Sequence, residues 1–364
     1  MKRIPVIQAR FFNPDETRVS LEMRFSDFLL RRRRRNPDLP VANEKSDDGL
    51  DADHSRRSEL RRSDVTRIQR RAQFIIDRRQ AASGLSHLKK EDRERLESLR
   101  GGATLISINS EHEADELAAK LHEEMPWMAP ATELAWRAMR RSVREGASGL
   151  TIPPMLLDGP AGIGKSHWAR RLGELIGTPS PVIEATTENA SFGMVGSQRG
   201  WSGAYPGRLV ETIIRARVAN PVVIIDEVEK AGQPTSRNGQ SFGLAEALLP
   251  LLEPLSAKNW SCPYYQVRFD VGWVTWVLTS NDSSRLPAPL LSRCPPLKLR
   301  NLSQAELINF VRRQGGERNL SDASIDAIVE ALDRVSHHES ALSLRVAQRL
   351  LLLADDLESG PVRH

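Results

Sequence analysis

Residues 155–172 read MLLDGPAGIGKSHWARRL, and this stretch decides the fold. Met155–Leu157 is a short apolar run that predicts the end of a buried strand. Three glycines then interrupt the chain, and apolar residues at helical spacing follow Lys165. Because glycine has no β-carbon, the backbone N–H groups of such a turn are able to surround a phosphate. A strand, a glycine-rich turn and a helix in this order therefore predict a phosphate-binding P-loop.

The P-loop predicts the binding of ATP together with Mg²⁺. Lys165 would reach the β- and γ-phosphates, and the Ser166 hydroxyl would hold the metal ion. The N-terminus of the helix adds a partial positive charge toward the phosphates. The predicted nucleotide-binding residues of the loop are Gly159, Pro160, Ala161, Gly162, Ile163, Gly164, Lys165, Ser166 and His167.

A second motif, VVIIDEVEK, occupies residues 222–230. Its four apolar residues predict a buried parallel strand. Asp226, at the strand end, is predicted to bind the nucleotide's Mg²⁺ with Ser166, and Glu227 is predicted to polarise the attacking water. The alternative is a strand that ends in a solvated acidic turn, and the P-loop earlier in the chain argues against it.

Three polar residues at the ends of later elements complete the predicted catalytic set. Asn281, in WVLTSND, would reach between the γ-phosphate and the lytic water, or would simply occupy a turn. Arg293, in LLSRCPP, would stabilise the γ-phosphate of a neighbouring subunit, or would form a local ion pair. Arg345, in SLRVAQR, would close a helical domain over the phosphates, although Arg349 lies nearby.

With these residues, the span from about 125 to 357 resembles an AAA+ ATPase. GPAGIGKS is similar to Walker A, VVIIDE to Walker B, Asn281 to sensor 1, Arg293 to the arginine finger and Arg345 to sensor 2. GSQRGWSGAYPGRLVE, NPVVIIDEVEKAG and ALLPLLEP resemble the ATPase module of Lon-type proteases. The Ser-Arg-Cys of residues 292–294 also resembles clamp-loader ATPases, which keeps a DNA-associated function open as the alternative.

The Lon resemblance implies an Mg²⁺-dependent ATPase that forms a homo-oligomeric ring, a hexamer, and remodels or unfolds a polypeptide substrate. Trp201 falls where Lon has a pore-loop aromatic that grips the polypeptide; the alternative is that it packs locally against Tyr205 and Pro206. Because the sequence ends at His364, no Lon-type peptidase domain and no peptidase activity are expected. A nucleotide switch without hydrolysis is a further alternative, against which Glu227 argues.

The alternation of strand and helix patterns after residue 155 predicts an α/β fold with a P-loop parallel sheet flanked by helices. From residue 303 onward only helices are predicted, as a small all-helical lid. The predicted divisions are a basic, partly disordered and partly helical N-terminal arm (1–102), a helical lead-in (103–150), the ATPase domain (151–300) and the lid (301–364).

The N-terminal arm carries the basic character of the chain. Residues 1–100 hold 25 Lys and Arg against 17 Asp and Glu, whereas the whole chain has a net charge of +5. Arg31–Arg35 would touch nucleic acid or an acidic partner, or would be a flexible solvated cluster. Residues 36–58 predict a disordered linker. No aromatic stacking pattern accompanies the arginine run, so nucleic-acid binding is not favoured; docking of a separate partner stays open.

Other features bear on location. No run of about 18 apolar residues predicts a membrane span, and the N-terminus lacks the apolar core of a signal peptide. Cys262 and Cys294 form no pair motif, which is typical of a reducing compartment and predicts a cytoplasmic protein.

Overall fold

The computed structural model describes residues 2–35, 60–186, 190–231, 243–335 and 343–359. It divides into a smaller unit, residues 8–97, and a larger unit, residues 1–7 with 98–364. The linker predicted over residues 36–58 lies outside the described residues. No helix in the described ranges combines the length and the apolar composition needed to cross a membrane.

The smaller unit is helical in its described residues. Its helices are α1 (Arg18–Arg35), α2 (Arg62–Ala82) and α3 (Lys90–Glu97). Helices α1 and α2 pack against each other, and Leu21 of α1 and Ile68 and Ala72 of α2 are buried. The arginine run forms the last turns of α1, and Arg33 pairs there with Asp64 of α2 at 2.7 Å. The structure therefore places Arg31–Arg35 in a helix, whereas the sequence also allowed a flexible solvated cluster.

The larger unit contains a parallel sheet and two short antiparallel pairs in its described residues. The strands are β1 (Lys2–Ile4), β2 (Ala103–Leu105), β3 (Met155–Asp158), β4 (Val182–Glu184), β5 (Val222–Asp226), β6 (Trp260–Ser261), β7 (Arg268–Phe269), β8 (Thr275–Ser280) and β9 (Pro296–Lys298).

Helices and short 3₁₀ turns connect these strands. The helices are α4 (Glu111–Glu124), α5 (Ala129–Arg144), α6 (Lys165–Ile176), α7 (Ala190–Val195), α8 (Arg208–Ala216), α9 (Leu244–Leu252), α10 (Pro254–Ala257), α11 (Ala288–Arg293), α12 (Gln304–Glu317), α13 (Asp322–Val335) and α14 (Leu344–Ser359). The 3₁₀ turns are Pro126–Met128, Val228–Lys230 and Ser283–Arg285.

The main sheet has the strand order β4-β5-β8-β3-β9, and all its pairs are parallel. Residues 222–225 of β5 and all of β8 are buried, as expected for strands covered on both faces. This sheet, its flanking helices and the helices α12–α14 that follow confirm the predicted fold class of a P-loop α/β core with a helical lid.

Two strands depart from the sequence predictions. Within the lead-in, the apolar run ATLISI (103–108) predicts a short strand, but β2 ends at Leu105 and pairs antiparallel with β1. Past Leu105 the backbone turns to the buried Asn220 side chain, which accepts from Ile106 N at 2.9 Å and donates to Ile106 O at 2.8 Å. Pro295 and Pro296 predict the end of the helix that carries Arg293, yet Pro296 also begins strand β9. Proline is tolerated there because β9 lies at the sheet edge.

The core joins the lid to the sheet. It includes Trp127 and Trp168, both fully buried, beside Met155 and Leu157 of β3. The same cluster continues into the lid through buried residues of α12, α13 and α14. The lid helices therefore share one apolar core with the helices that cover β3.

Candidate functional site

The loop between β3 and α6 holds the conformation that its glycines predict. Gly162 and Gly164 have φ values of +79° and +90°, a region that side chains with a β-carbon rarely adopt. Two contacts fix the loop from outside: Trp127 Nε1 donates to Ile163 O at 2.8 Å, and Leu344 N donates to Gly162 O at 3.1 Å. The loop is thus clamped between the helical lead-in and the lid.

Lys165 begins α6 and is only 7% exposed. Its ammonium donates to Gly159 O at 2.7 Å, to Pro160 O at 2.8 Å and to Asn281 Oδ1 at 2.9 Å. Burial lowers the pKa of Lys165, and the negative charges of Glu229 and nearby carboxylates offset part of that effect. A bound phosphate would add the negative charge that favours the ammonium form.

One carboxylate oxygen joins the first turn of α6 to strands β5 and β8. Asp226 Oδ1 accepts from Ser166 Oγ at 2.6 Å and from Thr279 Oγ1 at 2.5 Å. Thr279 Oγ1 in turn accepts from Glu227 N at 3.0 Å. A hydroxyl and a carboxylate are hard oxygen donors of the kind that hold Mg²⁺ beside a phosphate, so Ser166 and Asp226 fit this ion.

Glu227 follows β5 in the left-handed region, with a φ of +53°. Its Oε1 accepts from Lys230 Nζ at 2.8 Å and from Asn281 Nδ2 at 3.4 Å. Asn281 N donates to Glu229 Oε1 at 3.0 Å, which places the amide group between Lys165 and Glu227. A strained backbone and two polar neighbours, Lys230 and Asn281, therefore fix the carboxylate at the sheet edge.

These side chains face one cavity of about 270 Å³. The sequence-predicted residues that line it are Ala161, Gly162, Gly164, Lys165, Ser166, His167, Asp226, Glu227, Asn281 and Arg345. Burial lowers the pKa of His167, which favours its neutral form. The backbone carbonyls of Gly159 and Pro160 accept hydrogen bonds from Lys165. The Ile163 side chain is buried, with 1% exposure.

Arg293 and Trp201 do not line this cavity. Arg293 NH1 donates to Pro289 O at 3.1 Å, and its Nε lies 3.5 Å from Glu253 Oε2, the local ion pair that the sequence left open. About a third of its side chain stays exposed. Nothing in this geometry brings its guanidinium to the phosphate loop of its own chain.

Trp201 lies in a loop closed by a bridge between Gly196 and Pro206. It is 48% exposed and meets the ring of Phe192 edge-to-face, with 5.7 Å between centroids. Gly200 and Gly203 have positive φ values of +102° and +73°, respectively. The aromatic neighbour of Trp201 is therefore Phe192, which lies outside this loop. The local alternative from the sequence named Tyr205 and Pro206 instead.

Thr279 is the clearest site residue that the motifs missed. It lies within the quoted WVLTSND stretch, yet only Asn281 was singled out there. A usable signal was present, since a threonine that interrupts an apolar strand near its carboxyl end points a hydroxyl toward the site. The other cavity residues not predicted are Arg170, Leu344 and Gln348.

Comparison with known families gives a match to this part of the chain. Residues 155–299 match the family described as ATPase family associated with various cellular activities (AAA). The match begins at β3 and ends just after β9. It thus covers the main sheet and the phosphate loop, Asp226, Glu227 and Asn281.

Curated proteins that match the chain include Lon proteases. The chain is 30% identical to the peroxisomal Lon protease homolog 2 of Pichia angusta over 56% of this chain and 22% of that protein. It is 29% identical to Lon protease 2 of Thermus thermophilus over 59% and 28%, and 28% identical to the mitochondrial Lon protease homolog of Yarrowia lipolytica over 53% and 17%. The matched region thus spans between 17% and 28% of the length of these relatives.

We expect Thr279→Val to lower the rate of ATP turnover about ten-fold, the effect of losing one hydrogen bond of roughly 1.4 kcal/mol in the transition state. The valine keeps the shape of the side chain but leaves Glu227 N without its acceptor and Asp226 without one donor. Steady-state phosphate release measures the change. Thr279→Ser, which keeps the hydroxyl, is the control; equal rates for the valine variant and the wild type would contradict this role.

Proposed function

We propose, on the premise that residues 155–299 are an AAA ATPase domain similar to that of Lon proteases, that the chain hydrolyses ATP to unfold or remodel a polypeptide substrate, the work of a chaperone-type motor. The observation that carries the proposal is the single cavity at the carboxyl edge of the sheet. It gathers the glycine loop, Lys165, Asp226, Glu227 and Asn281 within one volume.

The roles follow from the contacts. The loop amides and Lys165 would bind the β- and γ-phosphates, after the ammonium exchanges its carbonyl partners for phosphate oxygens. Ser166 and Asp226 would hold Mg²⁺, which when bound neutralises phosphate charge. Glu227 would accept a proton from the attacking water, and Asn281, 3.4 Å away, would orient that water.

Arg293 supports the proposal of a ring. Its guanidinium lies outside its own cavity at the end of α11 and is partly exposed. We propose that it leaves Glu253 and reaches the γ-phosphate of a neighbouring subunit, as an arginine finger supplied in trans. On this model each ATP site is completed only in the homo-oligomer, which we propose to be a hexamer.

Trp201 is proposed to contact the polypeptide substrate. A half-exposed indole between two glycines of positive φ presents a large apolar surface. The two glycines would let the loop change its conformation. Such a surface grips a passing chain without a sequence preference. The separation of Trp201 from the nucleotide cavity supports distinct roles in substrate contact and hydrolysis. A cytoplasmic location and the lack of peptidase activity remain predictions from the sequence.

We expect Glu227→Gln to bind ATP with about the wild-type affinity and to lower its turnover at least about 100-fold, because the amide does not accept the proton of water. A fluorescent ATP analogue measures binding, and phosphate release measures turnover. Glu133→Gln, on the exposed face of α5, is the matched control. Turnover at the wild-type rate in Glu227→Gln would remove Glu227 as the base.

Arg293→Ala should bind ATP and lose at least about 100-fold in turnover. Lys165→Ala should lose both binding and turnover. When the two inactive variants are mixed, interfaces between an intact loop and a neighbour's intact arginine should restore turnover. The control is Arg141→Ala mixed with Lys165→Ala, since Arg141 is an exposed arginine of α5 outside the site. This mixture measures how far inactive Lys165→Ala subunits dilute the turnover of active ones. No recovery at any mixing ratio would contradict action across an interface.

We expect Trp201→Ala to keep basal ATP turnover while losing its stimulation by an unfolded polypeptide, because the grip and not the cavity is removed. Reduced, carboxymethylated α-lactalbumin serves as the probe, and phosphate release is followed with and without it. Trp201→Phe, which keeps an aromatic ring, should retain much of the stimulation. Full stimulation of the alanine variant would show that Trp201 does not contact the substrate.

A further inference from the structure

The smaller unit carries a surface groove of about 710 Å³ that the proposed ATPase cycle does not use. It runs between α1 and α2, and its walls come from one stripe of each helix at helical spacing. The lining residues are Phe25, Phe28, Leu29 and Arg32 of α1, and Asp64, Arg67, Ile68, Arg70, Arg71 and Phe74 of α2.

The arginines of this groove differ from the other arginines of the two helices. Arg18, Arg24, Arg33 and Arg79 each pair with a carboxylate of the same unit. Arg32, Arg67, Arg70 and Arg71 are exposed, and among residues 8–35 and 60–97 no carboxylate lies at ion-pair distance from them. The one acid of the groove, Asp64, is already bound to Arg33 at 2.7 Å. Among the described residues of this unit, the positive charge of the groove is therefore uncompensated.

Two aromatic rings accompany this charge. Phe28 is 64% exposed and Phe74 is 56% exposed, although phenylalanine is normally buried. The sequence around Arg31–Arg35 shows no aromatic stacking pattern, because Phe74 belongs to the other helix. Packing of α2 against α1 places Phe74 on the same groove as Phe28 and Arg32. Exposed rings between free guanidinium groups are the two components of a surface that binds single strands.

We propose that this groove binds single-stranded nucleic acid, with bases stacked on Phe28 and Phe74 and phosphates paired with Arg32, Arg67, Arg70 and Arg71. Each nucleotide supplies one negative charge and one planar face, the combination that the groove lining repeats. An acidic helix would bring carboxylates and aliphatic side chains, and would have to place several of each in register. The regular spacing of charge and ring in a single strand favours the nucleic acid.

The test measures binding of a fluorescein-labelled 20-nucleotide oligo(dT) to the full chain by fluorescence anisotropy. Phe28→Ala/Phe74→Ala should weaken binding at least about ten-fold. Arg67→Ala/Arg71→Ala should weaken it as well, and should make the slope of log K against log salt shallower by about 1.4, the value for two phosphate contacts to a single strand. Both pairs replace exposed side chains, and circular dichroism checks that the helices are kept.

The controls separate this groove from general charge. Met23→Ala removes an exposed apolar residue of α1 outside the groove, and Arg141→Ala/Arg215→Ala removes the same charge from the larger unit. Neither should change the affinity more than about two-fold. An equal loss in these controls, or unchanged binding in the phenylalanine variant, would overturn the proposal. Binding of poly-glutamate with no binding of oligo(dT) would also overturn it and would assign the groove to an acidic polypeptide.

Discussion

The site depends on the carboxylate of Asp226, which ends a buried strand and is shared by two hydroxyls. Ser166 belongs to the first turn of α6 and Thr279 to β8, so the bonds to Oδ1 tie the phosphate loop to the two central strands. The same Thr279 oxygen holds Glu227 N, which fixes the backbone just where it enters the left-handed region. Loss of the Asp226 carboxylate would therefore loosen both Ser166, the other proposed metal ligand, and Glu227, the proposed base.

A second constraint links the loop to the lid. A β-carbon on Gly162 would lie 2.9 Å from Ser343 Cβ, and one on Gly164 would lie 2.7 Å from Leu344 Cδ1. The glycines therefore serve two purposes, since they permit positive φ values and leave room for the first turn of α14. Arg345 and Gln348 of that helix line the cavity. A nucleotide that enters between loop and helix meets both, which offers a direct route by which its phosphates could set the position of the lid.

Much of this arrangement could be predicted because local sequence controls it. The glycine turn and the buried VVII strand each depend on neighbouring residues, and the order of motifs then places their ends at one edge of a parallel sheet. The sequence signals that the Thr279 hydroxyl faces the site. Its bond to Asp226 and the bonds of Asn220 could not be predicted, because each joins residues more than 50 positions apart. Strand β9 was missed for the same reason: its pairing with β3 outweighs the local effect of Pro296.

The two units present positive charge to anions in physically different ways. In the larger unit a buried lysine and a glycine loop of fixed geometry face a small cavity, so shape and desolvation decide which anion fits. In the smaller unit the guanidinium groups are exposed around an open groove, where salt screens each charge and several contacts must act together. The first arrangement suits one tightly defined triphosphate. The second suits a long polyanion, for which many weak contacts add up and sequence matters little.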